Sequence, residues 1–168
     1  MSILERIIAD KIKEVELKKS IIPIAQLEQS ILFDRPKNSL KKRLLESKSG
    51  IIAEHKRRSP SKAVINQSLN IQDVAKGYQT AGVCGMSVLT DTKYFGGNLE
   101  DLLLARASCN LPLLRKDFII DPYQIFEAKA YGADVILLIA AVLTRNEIEN
   151  LSKIAKQLNL EILLEIHN

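Results

Sequence analysis

Two carboxylates and two amines in this chain stand at positions where they could share one task. Glu54 and Lys56 are two residues apart, directly behind the apolar run Ile51-Ile52-Ala53. Residues at that spacing in a strand project from the same side, so the pair shares a face at the end of the run. Lys116 closes "LPLLRK", and Glu165 lies at the end of "EILLEI". An ammonium donates a proton and a carboxylate accepts one, so four such groups around one hollow are equipped for general acid–base chemistry. Each also has a plain reading: a lysine that snorkels to water, a solvated strand end, or an ion pair of small worth. What weighs against the plain readings is convergence, because several charges brought together at buried strand ends are costly unless they serve one another or a ligand. His55 falls on the face opposite Lys56 and is expected to pack against a helix, whereas His167 shares the face of Glu165. Arg57 and Arg58 read as solvated loop charges.

The elements that must position these groups are legible as a change of pattern near residue 50. Residues 2–19 form an amphipathic helical pattern, with Ser2 and Glu5 at capping-box spacing. "IIPIAQLEQSI" and "PKNSLKKRLLESKSG" read as two shorter helices, giving an all-helical segment over 1–50. From 51 to 168, short apolar runs alternate with helical patterns, the strands starting near 51, 85, 111, 134 and 160. Runs apolar on both faces are what a helix-covered parallel sheet requires. Asp121-Pro122 supplies an N-cap and a first-turn proline to one of the intervening helices. Periodicity alone leaves two architectures open, a complete doubly wound sheet or the first part of a (β/α)8 barrel. No GxGxxG or Walker loop is present, and "FGG" at 95–97 is a weak glycine signal.

Composition narrows the partners. With 46% hydrophobic residues, the chain can build a core, and its longest apolar run, Val135 to Leu143, is far short of the roughly 20 residues that span a membrane. The N-terminus shows no secretory pattern, and Cys84 and Cys109 are too few for a disulfide framework, so a cytoplasmic location is expected. Both cysteines are expected to be small buried hydrophobes. Residues 1–62 carry fifteen Lys and Arg against eight Asp and Glu, whereas the remainder carries nine against twelve. This basic leading segment suits an anionic ligand. With four Phe, four Tyr and no Trp, a base-stacking surface for nucleic acid is not expected.

The segments "IIAEHKRRSPSK", "GMSVLTDTKYFGG", "LLRKDFIIDPYQIFEAKAYGADVILLI" and "LLEIHN" together resemble indole-3-glycerol-phosphate synthase. The resemblance implies an α/β fold of the (β/α)8 TIM-barrel family, here an incomplete barrel of about five parallel strands behind an N-terminal helical extension. It implies a decarboxylating ring closure of 1-(2-carboxyphenylamino)-1-deoxyribulose 5-phosphate in tryptophan biosynthesis, with no metal or organic cofactor. By the same resemblance Lys116 is the general acid, Glu165 acts in the later dehydration, and Lys56 binds substrate anions and assists acid catalysis. Glu54 orients Lys56 and its neighbours, Ser59 lies in the substrate-facing "SPS" loop, and Phe95, Phe118 and Leu137 form apolar walls. His55, Ala63 and Asn98 depart from the family pattern, which favours an aliphatic residue, glycine and serine there.

The chain stops at Asn168, where the family's pattern would continue into strands six to eight and its phosphate site. The expectation is therefore a fragment with little turnover alone, self-associating through exposed sheet edges or completed by a C-terminal fragment. Two further readings stay open: a different phosphosugar barrel enzyme, such as a phosphoribosylanthranilate isomerase relative, and a non-catalytic half-barrel or basic nucleic-acid-binding module. The "EHKRRSPSK" and "RKDF" motifs speak against the first, and the scarcity of aromatics against the nucleic-acid module.

Overall fold

The computed structural model of the chain describes residues 1–167. Helix α1 (Ile3–Ile21) begins with the capping box of Ser2 and Glu5, each side chain accepting a hydrogen bond from the other's backbone N–H. A single turn, α2 (Ile24–Leu27), and a short helix, α3 (Leu40–Glu46), follow. Five strands then alternate with helices: β1 (Ile52–His55), α4 (Ile71–Thr80), β2 (Gly85–Leu89), α5 (Thr92–Phe95), α6 (Leu99–Ser108), β3 (Leu113–Lys116), α7 (Pro122–Ala130), β4 (Val135–Ile139), α8 (Arg145–Gln157) and β5 (Glu161–Glu165).

All strands pair parallel in chain order, β1-β2-β3-β4-β5. One face of the sheet carries the main core, where Met86, Val88, Leu113, Ile136 and Leu138 pack with Ile71, Val74, Leu102, Ile125 and Leu151 from α4, α6, α7 and α8. On the other face Leu114, Val135 and Leu137 cluster with Cys84 and with Leu40 of α3. Placing the crossover helices on one face, with strands in sequential order, is the barrel arrangement and not the doubly wound one. The barrel is not closed: among the described residues, β1 and β5 are each paired along one side only. Cys84 and Cys109 are both free and buried, as expected.

The stretch of the helical extension that leads into α3 is clasped to the amino-terminal end of the sheet. Asp134, fully buried, accepts from Arg35 (2.6 Å), the Asn38 amide (2.7 Å), Arg106 (2.8 Å) and the Leu113 amide (2.9 Å). Glu161 of β5 accepts from the Ser39 hydroxyl and from the Leu40 and Lys41 amides, capping α3 from across the sheet. This segment is less helical than the sequence suggests. "IIPIAQLEQSI" yields only the one turn of α2, because the Ser30 hydroxyl accepts from the Leu32 amide and donates to the Ala130 carbonyl (2.6 Å), drawing the chain into turns.

Candidate active site

The carboxyl ends of the strands gather the groups singled out in the sequence. The register sets Glu54 opposite Ser87 on β2, and Leu89 opposite Lys116 on β3. Glu54 therefore lies within reach of both amines. Its Oε2 is 3.0 Å from Lys116 Nζ, its Oε1 is 3.4 Å from Lys56 Nζ, and Ser87 Oγ donates to it at 2.7 Å. Burial alone would raise the Glu54 carboxyl's pKa, but the Ser87 and Lys116 hydrogen bonds and the two lysine charges outweigh it. The net effect holds Glu54 below its ordinary value, as an anion that fixes both ammonium groups.

Above this triad lies a cleft of about 240 Å³ lined by Lys56, Lys116, Glu165, Phe95, Phe118, Leu137, Leu89, Ile139, Asp91 and Asp117. Lys56, Lys116 and Glu165 thus share one hollow. Phe95 and Phe118 stand with ring centroids 6.1 Å apart, and the Lys56 ammonium sits 5.8 Å from the Phe95 centroid. A second hollow, lined by Glu54 and Ser87 among others, shares Lys116, Leu137 and Glu165 with the first. The result is two amines with Glu54 and Glu165 against an apolar wall, able to hold a flat apolar ring and to deliver and accept protons around it. No group of three or more metal-ligating side chains occurs among the described residues.

Other placements refine the reading. Ser59 is not brought to the cleft; it pairs with Lys62 across a tight turn, and its hydroxyl lies 3.2 Å from that of Ser61. Arg57 and Arg58 are not solvated loop charges. Arg57 is held by both oxygens of Asp101 on α6, and Arg58 Nη2 donates to the Thr92 and Lys93 carbonyls of α5 (2.6 and 2.9 Å). Guanidinium forks suit such bidentate and carbonyl-capping roles, and here they tie the strand exit at Lys56 to the elements after β2. His55 is buried on the face away from the cleft, as expected. His167 Nε2 lies 2.7 Å from Glu165 Oε1.

Four participants were not singled out beforehand. Ser87 could have been found from strand alternation, which puts it on the face of Glu54. Asp117 follows Lys116 directly, and Asp91 carries an N-cap signal: its side chain accepts from the Tyr94 amide at 2.8 Å to start the unforeseen turn α5, which Gly96 closes with φ 69°. The fourth, Lys11, had no local signal at all. It is buried in α1 and reaches Asp91 (2.9 Å), Asp117 (3.0 Å) and Glu14 (2.8 Å).

A family model described as indole-3-glycerol phosphate synthase matches residues 4–168. The chain belongs to the indole-3-glycerol phosphate synthase family. Curated relatives of that name include proteins from Bacteroides thetaiotaomicron (48% identical over 166 residues, 99% of this chain and 64% of the relative) and Dechloromonas aromatica (42% over 170 residues, 99% and 65%). Another, from Polynucleobacter necessarius, is 39% identical over 164 residues, covering 96% of this chain and 61% of the relative. The chain therefore spans a little under two thirds of the length of these synthases. No helix of the described residues is long and apolar enough to cross a membrane.

Proposed function

We propose that the chain carries the acid–base centre of an indole-3-glycerol phosphate synthase, a carboxy-lyase of tryptophan biosynthesis acting on 1-(2-carboxyphenylamino)-1-deoxyribulose 5-phosphate. The observation that carries this reading is the meeting of Lys56, Lys116 and Glu165 in one cleft beside Phe95, Phe118 and Leu137. The aromatic pair and Leu137 hold the anthranilate ring. Lys116, oriented by Glu54, protonates the ribulose carbonyl as the ring carbon attacks it; CO2 then leaves and the ring system is restored. Glu165 serves the subsequent loss of water, and Lys56 binds substrate anions and supports the acid step. A lysine side chain is charged at neutral pH and needs no activation to act as an acid. The apolar wall strengthens each of these interactions by excluding water.

We assign the protein to the cytoplasm on its two free, buried cysteines. The partners we propose are a small phosphosugar substrate and, at the free edges of β1 and β5, either further strands of a complementing polypeptide or a second copy of the chain.

The test is a hybrid. The part of the Bacteroides thetaiotaomicron relative that this chain does not match is supplied as a fusion or a co-expressed fragment, and indole-3-glycerol phosphate formation is followed by its absorbance. Turnover is expected, with Lys116→Ala lowering kcat by roughly 100-fold or more, the scale of a lost general acid. A folded hybrid that forms no product, or one indifferent to Lys116→Ala, would remove the reading.

A further inference from the structure

Lys11 is the most deeply placed lysine of α1, with only 2% of its side chain exposed, and it does not line the cleft. Its ammonium lies between the carboxylates of two residues that do, Asp91 (2.9 Å) and Asp117 (3.0 Å). Asp91 starts α5, the turn that carries Phe95, and Asp117 sits in the chain between Lys116 and Phe118. Asp117 also accepts from Thr90 (2.6 Å) and Arg115 (3.1 Å), and Arg115 continues to Glu127 (3.2 Å) and the Gln124 carbonyl (2.6 Å). The residue before Lys11 grips the same turn from outside: Asp10 accepts from Lys93 Nζ (2.6 Å) and Tyr94 OH (2.5 Å). Two consecutive residues of α1 thus hold the start and the middle of α5 and the exit of β3.

Docking a helix does not require this. A buried ion pair is commonly matched or exceeded in stability by apolar residues of similar volume, and α1 already packs Val15 against Tyr123 and Ala130. What an apolar residue could not do at position 11 is occupy Asp91 and Asp117 electrostatically. With Lys11 absent, Asp91 would lose its cation and Asp117 would keep only Arg115 and Thr90, leaving excess negative charge beside the cleft in which Lys116 pairs with Glu54 at 3.0 Å. An uncompensated carboxylate bordering a partly dry site acts strongly on a flexible lysine.

We infer that Lys11 is a positioning residue of the active site: by engaging Asp91 and Asp117 from the N-terminal helix, it leaves Lys116 free to pair with Glu54 and fixes the Phe95–Phe118 wall. Burial would push the Lys11 ammonium towards neutrality, but Asp117 and Asp91 reverse this and hold it above its ordinary value, so the charge is permanent. The inference rests on the synthase reading for its catalytic consequence, not for its geometry.

The test follows the side-chain 15Nζ resonance of Lys116 in the 168-residue chain with 15N-labelled lysine, assigned by its loss in Lys116→Arg. In the unaltered chain, Glu54→Gln should move that resonance. In Lys11→Met the resonance should already be displaced, and adding Glu54→Gln should move it no further. Lys11→Arg should restore the original position and the response to Glu54→Gln. Lys11→Gln, which keeps donors for both aspartates without the charge, should behave as Lys11→Met does and covers the case in which Met is not tolerated. Arg106→Met, which weakens the distant Asp134 clasp, should leave the resonance in place. In the hybrid, Lys11→Met and Lys11→Gln should lower kcat on the order of 10- to 100-fold per folded molecule, the cost of misplacing a reacting group by about 1 Å, with KM changing little. A Lys116 resonance that ignores Lys11, or moves equally with Arg106→Met, overturns the inference whether or not the hybrid turns over. A displaced resonance beside an unaltered hybrid that forms no product supports the positioning role and rejects the synthase reading instead.

Discussion

His55 shows how much a single side chain can reveal about its surroundings. It occupies the helix-side face of β1, and its Nε2 is buried without a hydrogen-bond partner. Burial and the charge of Arg57 lower its pKa from the ordinary 6.5, and Asp101 only partly opposes them. A group bound less readily by protons when folded contributes full stability above the unfolded value, and that contribution is lost as pH falls through the folded one. His55→Ile should therefore raise stability by about 1 kcal/mol at pH 7, the scale of relieving one unsatisfied polar group. It should also flatten the fall in stability below pH 6.5, the ordinary histidine value. Urea titrations at pH 7.5 and 5.5 measure both, and a less stable variant would show that His55 does more than fill space. Alternation in a strand was enough to place His55 away from Lys56. It could not reveal that Arg57, two residues on, is committed to Asp101, because that partner lies 44 positions later in the chain.

Elements were legible where local chemistry decided them and obscure where distant contacts did. Asp121 and Pro122 begin α7 as their types demand, with Gln124 completing a capping box, and α6 spans Leu99–Ser108 as its pattern suggests. The overreading of α2 came from apolar periodicity that Ser30 overrides through a residue a hundred positions away. The turn α5 is too short for periodicity to register, yet it carries a wall of the site. Its exit is enforced by Gly97: a Cβ there would stand 2.0 Å from the Leu89 carbonyl oxygen at the end of β2. Gly97→Ala should cost about 1–3 kcal/mol, as overpacking against an unyielding neighbour does. A denaturation midpoint unchanged from the parent would mean that β2 can give way.

At the scale of the whole molecule, the open sheet dominates. β1 and β5 present unpaired edges among the described residues, and near the latter Leu163, Leu164 and Ile166 are 37%, 46% and 67% exposed. Such edges pair with whatever strand is offered. Sedimentation of the chain alone should show association that grows with concentration and disappears when the complementing polypeptide is added; a sharply melting monomer at every concentration would contradict this. The strands were legible from the β/α rhythm, but that rhythm fits a doubly wound sheet as well, and their sequential order, each pairing with its predecessor, was implied only by the family resemblance. The attachment of α1 was not, because its anchors are supplied from far along the chain: Asp91 and Asp117 for Lys11, Asp121 for Lys19, and Tyr123, whose hydroxyl donates to the Ile22 carbonyl. That attachment also has a temporal side. On the ribosome, β1 and β2 can zip together as soon as both have emerged. Helix α1, made before all five strands, must wait for Asp117, Asp121 and Tyr123 until the third strand and the helix beyond it have left the exit tunnel. A helix made ahead of the sheet is thus among the last elements to find its seat.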